Sequence, residues 1–201
     1  LQLPSKVLCW VAVDRAIKIA SLLQQRDQAE AWMPLRDEIK QDILTKAWNE
    51  EKQAFTQAYG VDDLDASVLQ MEFYGFLPGK DPQFVSTVKA IQKELGHKDL
   101  MFRYRNKDDF GEPSSAFTIC SFWLVRALYM IGEEEEARKK FDQLLSHSNH
   151  LGLFSEDLDF ETKRLLGNFP QAYSHLALID TAMLLAGGKL SKEELLLQII
   201  H

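Results

Sequence analysis

A chain of 201 residues with 46% apolar and 26% charged side chains can bury roughly 70 % of its unfolded surface, as one domain or a piece of a larger one. Its net charge of −7 argues against a nucleic-acid partner, which needs clustered Lys and Arg. No apolar run approaches the roughly 18 residues of a membrane span, and the first residues do not read as a signal peptide.

Taken in chain order, Val7 to Leu23 is apolar nearly all round, the pattern of an inner helix buried on every side. It carries Cys9; Cys9 and Cys120, each among apolar neighbours, read as buried free thiols in a reducing cytoplasm. Trp32, Leu35, Ile39 and Ile43 predict an outer helix, with Pro34 at its first turn or at a kink. The aromatic, strand-like stretch Ala54 to Tyr59 leads into a second inner helix near Asp65. Phe84, Val88, Ile91 and Leu95 follow 4-3-4 spacing, one apolar stripe on an outer helix. A second aromatic stretch, Leu100 to Tyr104, leads to an inner helix near Ser114, apolar from Ala116 to Met130. Glu133 to Glu136 load the next helix start, where the helix dipole favours acids. Glu134, Glu135 and Glu136 stand four residues before Arg138, Lys139 and Lys140, predicting three surface pairs on a solvated face. The third stretch, Leu151 to Ser155, precedes a last inner helix near Phe169, apolar from Tyr173 to Leu185 and ending at Gly187-Gly188. Trp10, Trp48 and Trp123 read as core, and His175 as a satisfied core histidine.

The unit of inner helix, outer helix and aromatic loop recurs at about 50 residues, longer than the roughly 33–34 of TPR or ankyrin repeats. The expected architecture is all-α: a toroid of two concentric helix layers, about seven helices in three and a half hairpins. That number does not close a ring of six hairpins.

Each repeat delivers its aromatic stretch to one end of the ring, a setting that suits a sugar. The third loop continues Ser155-Glu156-Asp157-Leu158-Asp159. Carboxylates after an apolar stretch sit at a pocket mouth with poor local solvation, where one can serve as a base. No His, Cys or carboxylate spacing suggests zinc, and Asp62-Asp63-Leu64-Asp65 lacks the features of a calcium loop. Neither a phosphate-binding glycine loop nor a nucleophile elbow occurs. No metal or cofactor is expected.

Gly152-Leu-Phe-Ser-Glu156-Asp-Leu-Asp, followed by Leu166-Gly-Asn-Phe-Pro-Gln-Ala-Tyr-Ser-His-Leu-Ala-Leu-Ile179, resembles the C-terminal signature of glycoside hydrolase family 15, the glucoamylase and trehalase family. So do Ser5 to Arg15, Leu64-Asp-Ala-Ser67 with Gly75-Phe-Leu-Pro78, and Ser121-Phe-Trp-Leu-Val125. The bacterial glucoamylase and trehalase-like branch is the nearest likeness. The resemblance implies that residues 1–201 are the C-terminal part of a single (α/α)6 catalytic domain. It implies hydrolysis of α-glucosidic bonds with inversion, two carboxyls standing roughly 6.5–9.5 Å apart.

By resemblance the general base is Glu156. The family's general acid lies in a Trp-Glu motif just before the first inner helix, where this chain reads Leu1-Gln-Leu-Pro; the acid is therefore expected upstream, and the chain alone is expected to be inactive. The Arg-Tyr pair that contacts sugar in the family's innermost subsite is matched by Arg103 and Tyr104. Tyr59 is a second candidate to stack on sugar, and Asp157 the neighbour most easily confused with Glu156. Glu112 either holds a substrate hydroxyl or stabilises a helix N-terminus. The expected partners are an oligosaccharide or disaccharide, and either the N-terminal half of the same domain or another copy over the exposed inner helices. The alternative is a sugar-binding or regulatory module with the same toroid.

Overall fold

The computed structural model describes residues 2–107 and 111–187. Helix α1 (Leu3–Leu22) has proline in its first turn, where the missing N–H has no helical partner to lose. Helix α2 (Arg26–Lys46) folds back against it, the turn relying on left-handed Gln24. Pro34 lies inside α2, past the first turn. Residues 30–35 are exposed, so water reaches the carbonyl of Glu30, which has lost its helical donor.

Strands β1 (Trp48–Asn49) and β2 (Ala54–Phe55) then form an antiparallel hairpin. The inner helix expected from Asp65 is reduced to a 3-10 turn, Ala66–Leu69, and a single α-turn, α3 (Gln70–Phe73). Gly75, at φ 73°, ends it. Helix α4 (Pro82–Leu95) is capped by Asp81, whose carboxylate accepts from the Gln83 and Phe84 amides. Phe84, Val88, Ile91 and Leu95 are all buried, as their spacing predicts. The hairpin β3 (Gly96–His97) and β4 (Leu100–Met101) follows.

After β5 (Ala116–Phe117), helix α5 (Thr118–Ile131) is the central post of the core and stops at left-handed Gly132. Helix α6 (Glu134–Leu145) buries Ala137 and Leu144. Its acids do not form the expected pairs within the helix. Glu133 pairs with Lys89, and Glu136 accepts from Gln92 at 2.6 Å, so both reach α4, the neighbouring outer helix. Strands β6 (Asp157–Leu158) and β7 (Leu165–Leu166) join β5 in an antiparallel sheet ordered β5-β6-β7. Residues 151–155 are not strand; the pairing begins at Asp157. Helix α7 (Ala172–Leu185) ends before left-handed Gly187; Gly188 lies outside the described residues.

Among the described residues the seven helices make two layers: α1, the 3-10 turn with α3, α5 and α7 inside, and α2, α4 and α6 outside. Inner contacts run from α1 to the 3-10 turn, then to α5, then to α7. This is an incomplete (α/α) toroid, as the repeat predicts. One large core holds Phe55, Phe76, Phe84, Phe122 and Phe154, all fully buried.

Burial on every side holds for α5 and fails for α1 and α7. Leu8, Ile19, Leu22 and Leu23 are exposed at one end of the inner row, and Tyr173, Leu176, Ile179 and Met183 at the other. Among the described residues each of these helices has an inner neighbour on one side only. For the same reason Cys9 is exposed, whereas Cys120 is buried; both are free thiols.

Candidate active site

The loop carrying Glu156 is fixed from three directions. Just ahead of it, Phe154 is fully buried and sets its ring 5.5 Å from that of Phe122. The Phe154 amide donates to His175 Nε2, which leaves Nδ1 protonated and donating to the Gln171 carbonyl at 2.7 Å; His175 is the satisfied core histidine expected. Ser155 is buried, and its carbonyl accepts from Ser174 Oγ at 2.8 Å. The start of α7 thus holds the loop from below.

Glu156 itself is half-buried. Its amide donates to the Asn168 carbonyl, and its carbonyl accepts from the Thr118 amide, each at 2.9 Å. Its carboxylate oxygen Oε2 accepts from Asn168 Nδ2 at 2.9 Å and from the Asn168 amide at 3.2 Å. Among the described residues Oε1 takes no hydrogen bond. Gly167 (φ 72°) makes this packing possible: a Cβ there would stand 2.9 Å from Oε2 and 3.1 Å from Glu156 Cβ.

Asp157 is in register with Phe117 on one side and Leu166 on the other. Ser115 Oγ donates to its carboxylate. Burial raises the pKa of Asp157 and the neighbouring Glu156 charge adds to this, while the Ser115 bond opposes it.

Arg103 is about half exposed and lies 3.8 Å, Nε to Oδ2, from nearly buried Asp65. Asp65 Oδ1 also accepts from the Ser67 amide at 2.7 Å and from Ser67 Oγ at 2.6 Å. The Arg103 guanidinium stands over the Tyr104 ring at 5.6 Å, and its carbonyl accepts from the Ala66 amide. Arg103, Asp65 and Asp157 all bear on the fully buried Cys120 thiol in the first turn of α5. Burial first, then Asp65 and Asp157, push that thiol up, and Arg103 pulls it back. The second loop is tied to the start of α5 by the Met101 amide, which donates to Ser121 Oγ at 3.1 Å, and the third by the Glu156 carbonyl, which accepts from the Thr118 amide.

Glu112 is exposed, three residues ahead of Ser115 in the chain. Tyr59 is engaged elsewhere. Its hydroxyl donates to Asp42 on α2 at 2.9 Å and Lys6 lies over its ring; burial, then Asp42, raises its pKa. Asn168, Gly167, Asp65 and Ser115 had no assigned role from sequence. The Gly167-Asn168 pair carries a turn signal that could have marked a tight approach, and Asp65-Ala66-Ser67 has the pattern of a capping aspartate. No group of three His, Cys, Asp or Glu that could hold a metal ion occurs among the described residues.

The model of glycosyl hydrolases family 15 matches residues 2–145 and 132–183. The chain belongs to that family. It is 43% identical over 182 residues to a trehalase of Mycolicibacterium smegmatis, covering 89% of this chain and 27% of that protein. It is 37% identical over 179 residues to a trehalase of Thermoplasma acidophilum, covering 89% of this chain and 31% of that one. Among solved structures, a wild-type glycosidase aligns with TM-score 0.75 at 15% identity, over 92% of this chain and 52% of its own. A glycosidase variant solved in complex with glucose aligns with TM-score 0.77 at 14% identity over the same shares. The chain thus spans about half the length of the structures that share its fold and under a third of the trehalases that resemble it.

Proposed function

We propose that this chain supplies the general base and part of the sugar pocket of an inverting α-glucosidase, with trehalose the first substrate to test because trehalases resemble it. The observation that carries this is the carboxylate of Glu156. Asn168 fixes one oxygen, and the other takes no protein hydrogen bond among the described residues. A water held at Oε1 gives its proton to Glu156 as its oxygen attacks the anomeric carbon. The glycosidic bond breaks on the opposite face, and its oxygen takes a proton from a general acid outside this chain.

Arg103 binds sugar hydroxyls through its guanidinium N–H groups, which only donate, with Asp65 orienting it. Tyr104 offers a ring face, and Asp157 and Glu112 are the remaining candidates to contact the sugar. The chain alone is inactive, lacking the acid. The apolar edges at α1 and α7 support cover by the other half of the domain, or by a second copy. No helix among the described residues is long and apolar enough to cross a membrane, and free Cys9 and Cys120 fit a cytoplasmic setting.

The test is glucose release from trehalose, maltose and starch by the product of the complete coding frame, beside its Glu156→Gln variant. We expect turnover of at least one substrate and its loss in the variant. Full turnover by Glu156→Gln would overturn the assignment of the base.

A further inference from the structure

Outside the pocket, a charged and aromatic junction ties together the two hairpins that carry its principal residues. Asp99, in the turn between β3 and β4, accepts from Lys163 Nζ at 2.5 Å through Oδ1 and pairs through Oδ2 with His147 Nε2. Lys163 belongs to the turn between β6 and β7, and His147 follows the end of α6. Beside this, Lys98 pairs with Glu161, and His97 Nε2 lies 3.6 Å from the same carboxylate. Under the charges, Phe160 packs its ring 4.2 Å from Phe102 and 5.0 Å from His97. Asp159 shapes the second turn by accepting from the Glu161 and Thr162 amides.

The position of this junction gives it meaning. From Asp99 the chain runs through β4 directly to Arg103. From Lys163 it runs back through β6 to Glu156, and forward through β7 to Asn168. The contacts cross between two repeats 48 and 64 residues apart in sequence, and they stand on the strands that end at the proposed sugar-binding and base residues. Lys163, His147 and Asp99 are mostly buried, with side-chain exposures of 24%, 13% and 19%, so water screens these charges less than those of a surface pair.

We infer that Asp99 is a positioning residue: by holding Lys163 and His147 it sets the separation between Arg103 and Glu156. This rests on the function proposed above. A shift of a few tenths of an ångström between two groups that must engage one sugar costs on the order of tenfold in rate.

The test uses Asp99→Asn and Lys163→Met in the complete protein, with Lys89→Met, which breaks the pair to Glu133 between the outer helices, as the control. Two readouts are taken. We expect kcat/KM to fall on the order of tenfold in the first two variants, and little in the control. Independently of activity, hydrogen exchange follows two amides, Ala66 bonded to the Arg103 carbonyl and Thr118 bonded to the Glu156 carbonyl. Both are expected to exchange several-fold faster, while α5 amides such as Leu128 keep their protection. Unchanged exchange at Ala66 and Thr118, or faster exchange spread evenly over the protein, would overturn the inference whatever happens to the rate. If Glu156→Gln keeps full turnover, the catalytic assignment fails while the exchange arm still reports on the junction.

Discussion

Replacing Gly167 with alanine tests how closely the backbone is built around Glu156. Two effects are expected and they can be separated. Gly167 sits at φ 72°, where any residue with a Cβ loses about 1–2 kcal/mol. The added methyl would also stand 2.9 Å from Glu156 Oε2, 3.1 Å from its Cβ and 3.6 Å from its Cδ. The first of these is shorter than real Cβ contacts, so the side chain must move by a few tenths of an ångström and slacken its bonds to Asn168. Gly152, in the preceding turn, provides the comparison: it has φ 75° and nothing within 4 Å of its hypothetical Cβ. Gly152→Ala carries the backbone cost alone. Chemical denaturation should therefore show losses of about 1–2 kcal/mol in both variants, or a few degrees in melting temperature. Glucose release should separate them, with kcat/KM down about ten- to a hundredfold in Gly167→Ala and nearly unchanged in Gly152→Ala. Equal activity in the two variants would refute the claim that the closeness of Gly167 positions the carboxylate.

Asn168→Ala removes the Nδ2 donor but leaves the backbone donor. A bond to a charged group is worth about 1.5–3 kcal/mol, so kcat should fall about tenfold or more, with KM for the sugar little changed in steady-state kinetics. Burial raises the pKa of Asp99, but the Lys163 and His147 bonds and the Lys163 charge together outweigh it and lower the pKa to about 2 from 3.8. A depressed carboxylate contributes stability above its unfolded value and loses it as pH falls through the folded one. Asp99→Asn should therefore cost about 2 kcal/mol at pH 6, a gap that narrows below about pH 4 and closes only below pH 2 in urea titrations. Phe154→Ala empties a fully buried site below the Glu156 loop and should cost about 3–5 kcal/mol in the same assay. The isolated chain should self-associate in sedimentation experiments, because Tyr173, Leu176, Ile179 and Met183 form an exposed apolar stripe on α7. Leu176→Glu should weaken that association, and a clean monomer at high concentration would count against it.

The elements legible in the sequence were those whose signal is local. The 4-3-4 spacing of α4 and the apolar run of α5 depend on which face meets the core, and the core lies where those faces point. The second inner helix is shorter than expected because Gly75 and Pro78 cut the chain soon after Asp65, leaving one α-turn. The run of four glutamates predicted pairs within α6, but the partners of Glu133 and Glu136 come from α4. Which outer helix lies beside which is a tertiary fact. Around the candidate site, the resemblance singles out Glu156 and Arg103. It does not single out Asn168 and Asp99, because their contacts arise only once the strand register is set and adjacent repeats are side by side.

The β5-β6-β7 sheet also constrains how this scaffold accepts change. Strand β5 leads straight into α5, and β6 and β7 form one hairpin on its edge. A transplanted hairpin from a homologue inherits only half of its hydrogen-bonding ladder. Chimeras meant to alter substrate preference should carry residues 115–118 together with residues 155–168, moving donor and acceptor strands as a matched set.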